Sequence, residues 1–316
     1  MNTTPSSNAP VGPTTGADIA NQCALVIAGG GAAGNAWALG VIAGLSDAAV
    51  DVASADLVVG TSSGSTVAAQ ITSGTRPVGL YSAILAEPER TRADGARRGP
   101  GGARGTLSGP TYLEWSNAII ASAHDPADMR RRLGAAALER DTSDGAAGAR
   151  WREVVASRLP GLTWPRRRVL ITAVDATTGE PIVFDRHSGV DLVDAVAAST
   201  SAMTPYPIGD RRFLNGSYRR SENADLAAGY GHVLVLVPFG GRTRMPQGWG
   251  MDLATQVEEL RAGGSTVETV FPDAGAGDVF DANALDPATR APAARGGYDQ
   301  GMQLAKRLAP FWPIVS

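Results

Sequence analysis

Asp56-Leu-Val-Val-Gly-Thr-Ser-Ser-Gly-Ser65 reads as a short buried strand that breaks abruptly into a helix through a serine turn. Leu57, Val58 and Val59 form an unbroken apolar run, as in a strand covered on both faces, and helical spacing takes over after Gly64 as far as Ser73. Upstream, Cys23-Ala-Leu-Val-Ile-Ala28 repeats the pattern. It is followed by the glycine cluster Gly29 to Gly34, and then by apolar residues at helical spacing over Asn35 to Leu45. Strand, glycine turn, helix, strand, serine turn, helix is an alternation that builds a mostly parallel sheet with helices on its faces. The expected fold class is α/β.

Outward from this core the signals weaken. Residues 1–20 are rich in Thr, Pro, Ser and Gly and read as a disordered leader, without the basic and apolar regions of a secretory signal. Residues 21–316 read as one domain. Within them, residues 87–107 interleave Arg90, Arg92, Arg97, Arg98 and Arg104 with glycines. The plain reading is a flexible solvated loop; the functional one is a mobile lid or a peripheral membrane contact drawn to anionic headgroups. Asp141 to Gly148 reads as a surface loop, and regular structure is expected to resume near Trp151 with an amphipathic helix. Arg168–Val174 and Pro181–Phe184 read as strands that pair antiparallel, Asp191–Ala198 as a helix, Arg212–Leu214 and His232–Val237 as strands, and Gln300–Leu308 as a closing helix.

A hydrophobic fraction of 43% supports a real core, and a net charge of -3 gives no footprint for nucleic acid. The single cysteine, Cys23, lies in an apolar run and is expected to be a buried, inert thiol, in keeping with a reducing compartment. No apolar run approaches the ~20 residues that span a bilayer, so the expected location is cytoplasmic.

Gly60-Thr-Ser-Ser-Gly64 matches G-x-S-x-G, in which a serine sits on a strained turn from strand to helix. Ser62 is the candidate nucleophile; Gly60 and Gly64 give the turn room, and Ser63 and Ser65 read as helix-start residues. Gly29-Gly-Gly-Ala-Ala-Gly34 also fits the dinucleotide fingerprint G-x-G-x-x-G. That fingerprint needs an acidic residue at the end of the next strand, whereas Asp56 stands at its beginning. The better reading is an oxyanion site made by N–H groups among Gly29, Gly30, Gly31 and Gly34, which would emerge at the same sheet edge as Ser62. The three histidines offer no base: His232 starts a strand at the opposite edge, and His124 and His187 fall in polar turns. No His/Cys/Glu cluster suits a metal, and no cofactor is implied.

A glycine-rich loop, then G-x-S-x-G, then a late D-G-G or D-G-A, resembles the patatin-like phospholipases, which use a Ser-Asp dyad without histidine. The resemblance runs from about Ala24 to Pro238. Its third motif falls on Phe213-Leu-Asn-Gly-Ser-Tyr218, continuing to Asn223-Ala-Asp-Leu-Ala227, after the small-residue segment Ala197 to Pro205. It implies a three-layer fold and a lipid or other acyl-ester substrate, hydrolysed through an acyl-Ser62 intermediate. Two positions depart from it. Ala33 replaces the family's basic residue, and Asn215, followed by Gly216 and Ser217, stands where the dyad aspartate belongs. An amide oxygen at that place can accept a hydrogen bond from Ser62 but is too weak a base to take its proton. The alternatives to an impaired or engineered hydrolase are a silent lipid-binding protein that keeps the cleft and an acyltransferase.

Overall fold

The computed structural model describes residues 22–88, 109–141, 145–276, 280 and 283–313. The leader at 1–20 and the arginine segment from 89 to 107 lie outside them.

The chain alternates as expected at its start: β1 (Cys23–Ile27), α1 (Gly31–Asp47), β2 (Leu57–Gly60), α2 (Ser63–Ile71), then α3 (Pro77–Leu85). Two further helices follow, α4 (Gly109–Ser122) and α5 (Pro126–Arg140), so regular structure resumes well before Trp151. The start of α5 is encoded locally: Asp125 accepts from the Asp128 N–H, and Pro126 occupies the first turn. Its inner face is carried by Met129, Leu133, Gly134 and Ala137, with Leu138 at its margin, among arginines, which leaves the helical pattern faint in sequence. α6 (Ala146–Ala156) begins inside the stretch expected to be a loop. Then come β3 (Arg168–Asp175), β4 (Pro181–Phe184), α7 (Leu192–Ser199), β5 (Tyr206–Ile208), β6 (Arg211–Asn215), β7 (His232–Leu236), α8 (Leu253–Ala262), β8 (Thr266–Val270) and α9 (Arg290–Leu308).

The sheet has the order β5-β6-β3-β2-β1-β7-β8, with β4 also on β3. β3, β2, β1, β7 and β8 are mutually parallel; β4, β5 and β6 are antiparallel additions. Alternation along the central strands feeds two cores. Cys23, Leu25, Ile27 and Val58 face a layer that includes Trp37, Val67, Val196 and Ala294, whereas Ala24, Val26, Leu57 and Val59 face Leu253, Val257 and Leu260 of α8. Helices thus cover both faces of a mostly parallel sheet, the three-layer α/β arrangement that the resemblance implies. A third cluster joins α4 and α5 to Val174, Leu214 and Tyr218.

α1 is buried all round from Ala33 to Leu45, so no face of it is amphipathic. It crosses α9 through glycines on both helices. A Cβ on Gly40 or Gly44 would run into the backbone of Ala294 or Tyr298, and one on Gly297 or Gly301 into that of Trp37 or Val41. Small residues four apart let two backbones approach this closely. The Trp37 indole N–H then donates to Gln300 Oε1 at 2.8 Å across the same interface.

One register decides the site. Ile171 of β3 pairs with Gly60 on one side and Phe184 on the other, and Ala173 pairs with Asn215 and with Ile182. β4 therefore takes one edge of β3, and β2 and β6 share the opposite edge, meeting head to head. The end of β2 and the end of β6 are brought together by backbone pairing alone.

Candidate active site

At that meeting point stands Ser62, with φ 53° and ψ -126°. For a residue with a side chain this backbone is strained, at a typical cost of ~1–3 kcal/mol, and such strain concentrates at functional sites. The turn is closed by absent side chains. A Cβ on Gly60 would lie 2.6 Å from Ser65 Cα, and one on Gly64 would overlap the Ile27 carbonyl. Gly29 lies directly against the Ser62 side chain, where a Cβ would come to 2.9 Å from Ser62 Cβ. From below, Ser199 Oγ at the end of α7 accepts the Ser62 N–H at 2.9 Å. The small-residue segment noted in the sequence thus clamps the elbow.

Asn215 faces Ser62. Its Nδ2 donates to Ser62 Oγ at 3.0 Å. Its Oδ1 accepts from the Ser217 N–H at 3.0 Å and from Ser217 Oγ at 2.9 Å. The sequence allows the amide oxygen to accept from Ser62; in the structure the amide nitrogen faces Ser62 instead. A backbone N–H can only donate, so the oxygen is held on the Ser217 side and the nitrogen is left for Ser62.

The N–H groups around Ser62 sort themselves by partner. Helix first turns leave N–H groups without intrahelical acceptors. Gly34 N–H donates to Gly30 O, Ala33 N–H to Ala284 O, Gly64 N–H to Thr61 O and Ser65 N–H to Ser62 O. Gly30 N–H is taken by Ser63 Oγ at 2.9 Å. Of the candidate glycines, Gly30 and Gly34 are thereby occupied within the protein. Among the described residues no acceptor is recorded for the first-turn N–H groups of Gly31, Ala32 and Ser63. Two helix N-termini converge here, which favours negative charge. Gly31 also needs to be glycine: its φ is 64°, and a Cβ would sit 2.6 Å from Ala284 O. By sequence Ser63 is a helix-start residue only. Its further part, an N–H directly after the candidate nucleophile and a hydroxyl on the glycine loop, follows from three-dimensional proximity.

Beneath the pair lies a buried polar network missed in the sequence. Asn223, left-handed at φ 61°, donates through Nδ2 to Thr61 Oγ1 at 2.9 Å, Gly216 O at 3.0 Å and Thr172 Oγ1 at 3.3 Å. Its Oδ1 accepts from Arg219, which forms a two-point pair with Asp225. Gly216 is pressed on Thr172, with no room for a Cβ. Neighbouring Glu222 is buried, and burial pushes its carboxyl up to about 7 despite a bond from Ser221.

Other sequence-picked residues fall elsewhere. His232 pairs with Cys23 at the far edge, and His124 and His187 are exposed. Burial pushes the Cys23 thiol up to about 12, as an inert thiol requires. Asp56 Oδ2 accepts the Cys23 N–H at 2.8 Å, far from the glycine loop, which disposes of the dinucleotide reading. Among the described residues no group of three His, Cys, Asp or Glu side chains is placed to hold a metal. A cavity of about 180 Å³ is lined by Trp151, Tyr206 and the stretch just past Ser199, and a larger one of about 370 Å³ lies between α4 and Arg244. Ser62 and Asn215 line neither.

The model of the family described as patatin-like phospholipase matches residues 25–228, well over half the chain. The chain belongs to the patatin-like phospholipase family. Members of this family are lipid esterases and phospholipases. No curated protein sequence matches the chain. Two solved structures are similar to this patatin-like chain. VipD from Legionella pneumophila has 12% identity and a TM-score of 0.45, over 91% of this chain and 67% of that one. The type III effector ExoU has 17% identity and a TM-score of 0.36, over 89% of this chain and 54% of the effector. Among the described residues of this patatin-like chain, no helix is long and apolar enough to cross a membrane.

Proposed function

We propose that the protein is a lipid acyl-hydrolase built to form an acyl-Ser62 intermediate, with an amide at the position of its base. The observation that carries this reading is the strained Ser62 elbow with its Oγ 3.0 Å from the end of the residue-215 side chain. Ser62 Oγ would attack the ester carbonyl, and the N–H groups of Gly31, Ala32 and Ser63 would receive the negative charge that develops on the carbonyl oxygen. A carboxylate at position 215 would take the serine proton and pass it to the leaving alcohol, and water would then release the acid. Asn215 offers Ser62 a hydrogen rather than a lone pair, so in this chain acylation proceeds without its base.

The test is labelling with a fluorophosphonate probe and mass mapping of the labelled residue. Ser62 should be the labelled serine, faster in Asn215→Asp than in the present chain, and Ser62→Ala should lose the label. Undiminished labelling after Ser62→Ala would remove the reading. A second reading, a lipid-binding protein that keeps the cleft without turnover, draws on the direction of the Asn215 bond. A folded Asn215→Asp protein with no gain on a panel of esters would put that reading first.

A further inference from the structure

Resting on that hydrolase reading, we propose that Ser217 is a positioning residue that decides which atom of residue 215 meets Ser62 and how strong a base that atom can be. Ser217 presents two donors to one atom of residue 215, its N–H at 3.0 Å and its hydroxyl at 2.9 Å. Both are fixed by the tight turn Gly216–Tyr218, itself anchored where Gly216 packs on Thr172. With the oxygen held there, the other terminal atom is delivered to Ser62. With asparagine that atom carries hydrogens, and the dyad is blocked. With aspartate it would be the second carboxylate oxygen, an acceptor in the place where the amide nitrogen now lies 3.0 Å from Ser62 Oγ. The same geometry that blocks the amide would therefore pre-set the acid.

The hydroxyl has a second effect. A donor bonded to the charged form of a carboxyl stabilises that form, lowers its pKa and weakens it as a base. The backbone N–H would remain with any residue but proline at 217, whereas the hydroxyl is contributed by serine. Few other ionisable groups stand nearby. β3 and β6 bring Asp175 and Arg211, paired with each other, Arg212, which faces Asp141, and Arg168 at the far end of β3, bonded to Tyr230. The turn brings Tyr218, bonded to Tyr112 and touched by Arg244, and beyond it the Arg219–Asp225 pair and Glu222. α7 brings Asp194, held by Arg152 and Tyr206. The first turns of α1 and α2 bring no charged side chain. A change at 217 leaves all of these in place.

The experiment titrates the carboxyl introduced by Asn215→Asp, in the full chain, by carbon NMR with labelled aspartate, using the unsubstituted chain to assign the new signal. Adding Ser217→Ala or Ser217→Gly should raise its midpoint by about one pH unit, and Ser217→Thr should restore it. The acid limb of kcat/KM on a short ester should move up by the same amount, since the base works only when deprotonated. A midpoint that is the same with and without the hydroxyl overturns the proposal, whatever the activity. A midpoint that shifts as expected in a protein that hydrolyses no ester leaves the role of Ser217 standing and sinks the hydrolase reading instead.

Discussion

The two halves of the candidate site are made of different materials. The half from β1, α1, β2 and α2 is backbone: glycines where no side chain fits, one strained serine, and N–H groups at two helix starts. The half from β6 and the turn after it is side chain: Asn215 held by Ser217, and Asn223 tying Thr61, Thr172 and Gly216 together over the Arg219–Asp225 pair. A backbone site tolerates almost no substitution, because its groups are where the fold puts them. A side-chain site can change chemistry by one atom while its frame persists, and on the proposed reading Asn215 is such a change.

This contrast can be broken by mutation. The largest effect should be Asn215→Asp, which exchanges an NH2 for an oxygen inside an intact frame. Supplying a positioned base should raise esterase activity by ~10²–10⁴-fold with little change in melting temperature. A loss of folding instead would mean that the side-chain half is as rigid as the other. On the backbone side, Gly64→Ala drives a methyl group into the Ile27 and Ala28 carbonyls at the end of β1. A cost of about 3 kcal/mol in denaturant unfolding is expected, because neither the start of α2 nor the end of β1 can withdraw. An alanine protein of parent stability would show that the elbow is softer than its packing.

Glu222 sharpens the comparison through pH. Burial holds its folded pKa at about 7, above the ~4.3 of an unfolded glutamate. The folded state therefore binds the proton more tightly. The stability this confers is complete below pH ~4 and is lost as pH rises through 7, on the order of 3 kcal/mol in all. Glu222→Gln should flatten that fall between pH 5 and 8; an unchanged slope in urea titrations would show that Glu222 does not carry it. The smallest effect should come from Asn223→Ala, which leaves Gly216 O and Arg219 short of a partner each. About 2 kcal/mol is expected, together with a drop in the activity gained by Asn215→Asp. Full activity at reduced stability would make the network structural only.

Sequence reading served the two halves unequally for the same reason. Gly60, Ser62, Gly64 and the glycine loop announce themselves because each motif is contiguous and lies between an apolar strand and a helix. Asn215 and Gly216 were found through resemblance, not periodicity. Ser199, Asn223, Thr61 and Thr172 act across long sequence separations, and nothing local marks a polar residue as the bottom of a site. The direction of the Asn215 bond was beyond reach as well, since it depends on which donors surround the amide. In the fold, the missed helices α4 and α5 are amphipathic only in outline, and their apolar residues serve a small satellite cluster instead of the main core.

The glycine crossing between α1 and α9 has a consequence for the order of assembly. The family match ends at residue 228, yet β1 has β7 as one of its two neighbours, and α1 is covered by α9. A ribosome delivers these pieces in numerical order. When Asn223 leaves the exit tunnel, every residue of the candidate site has been made, but the strand leading to Gly29 still has an open edge and the helix beginning at Gly31 still shows an apolar flank to water. Both are closed by residues 232–308. Among the described elements, the first strand and helix to be synthesised are thus among the last to be secured, and a nascent chain that has Ser62, Asn215 and Asn223 still lacks the strand that flanks β1 and the Ala284 carbonyl on which Gly31 packs.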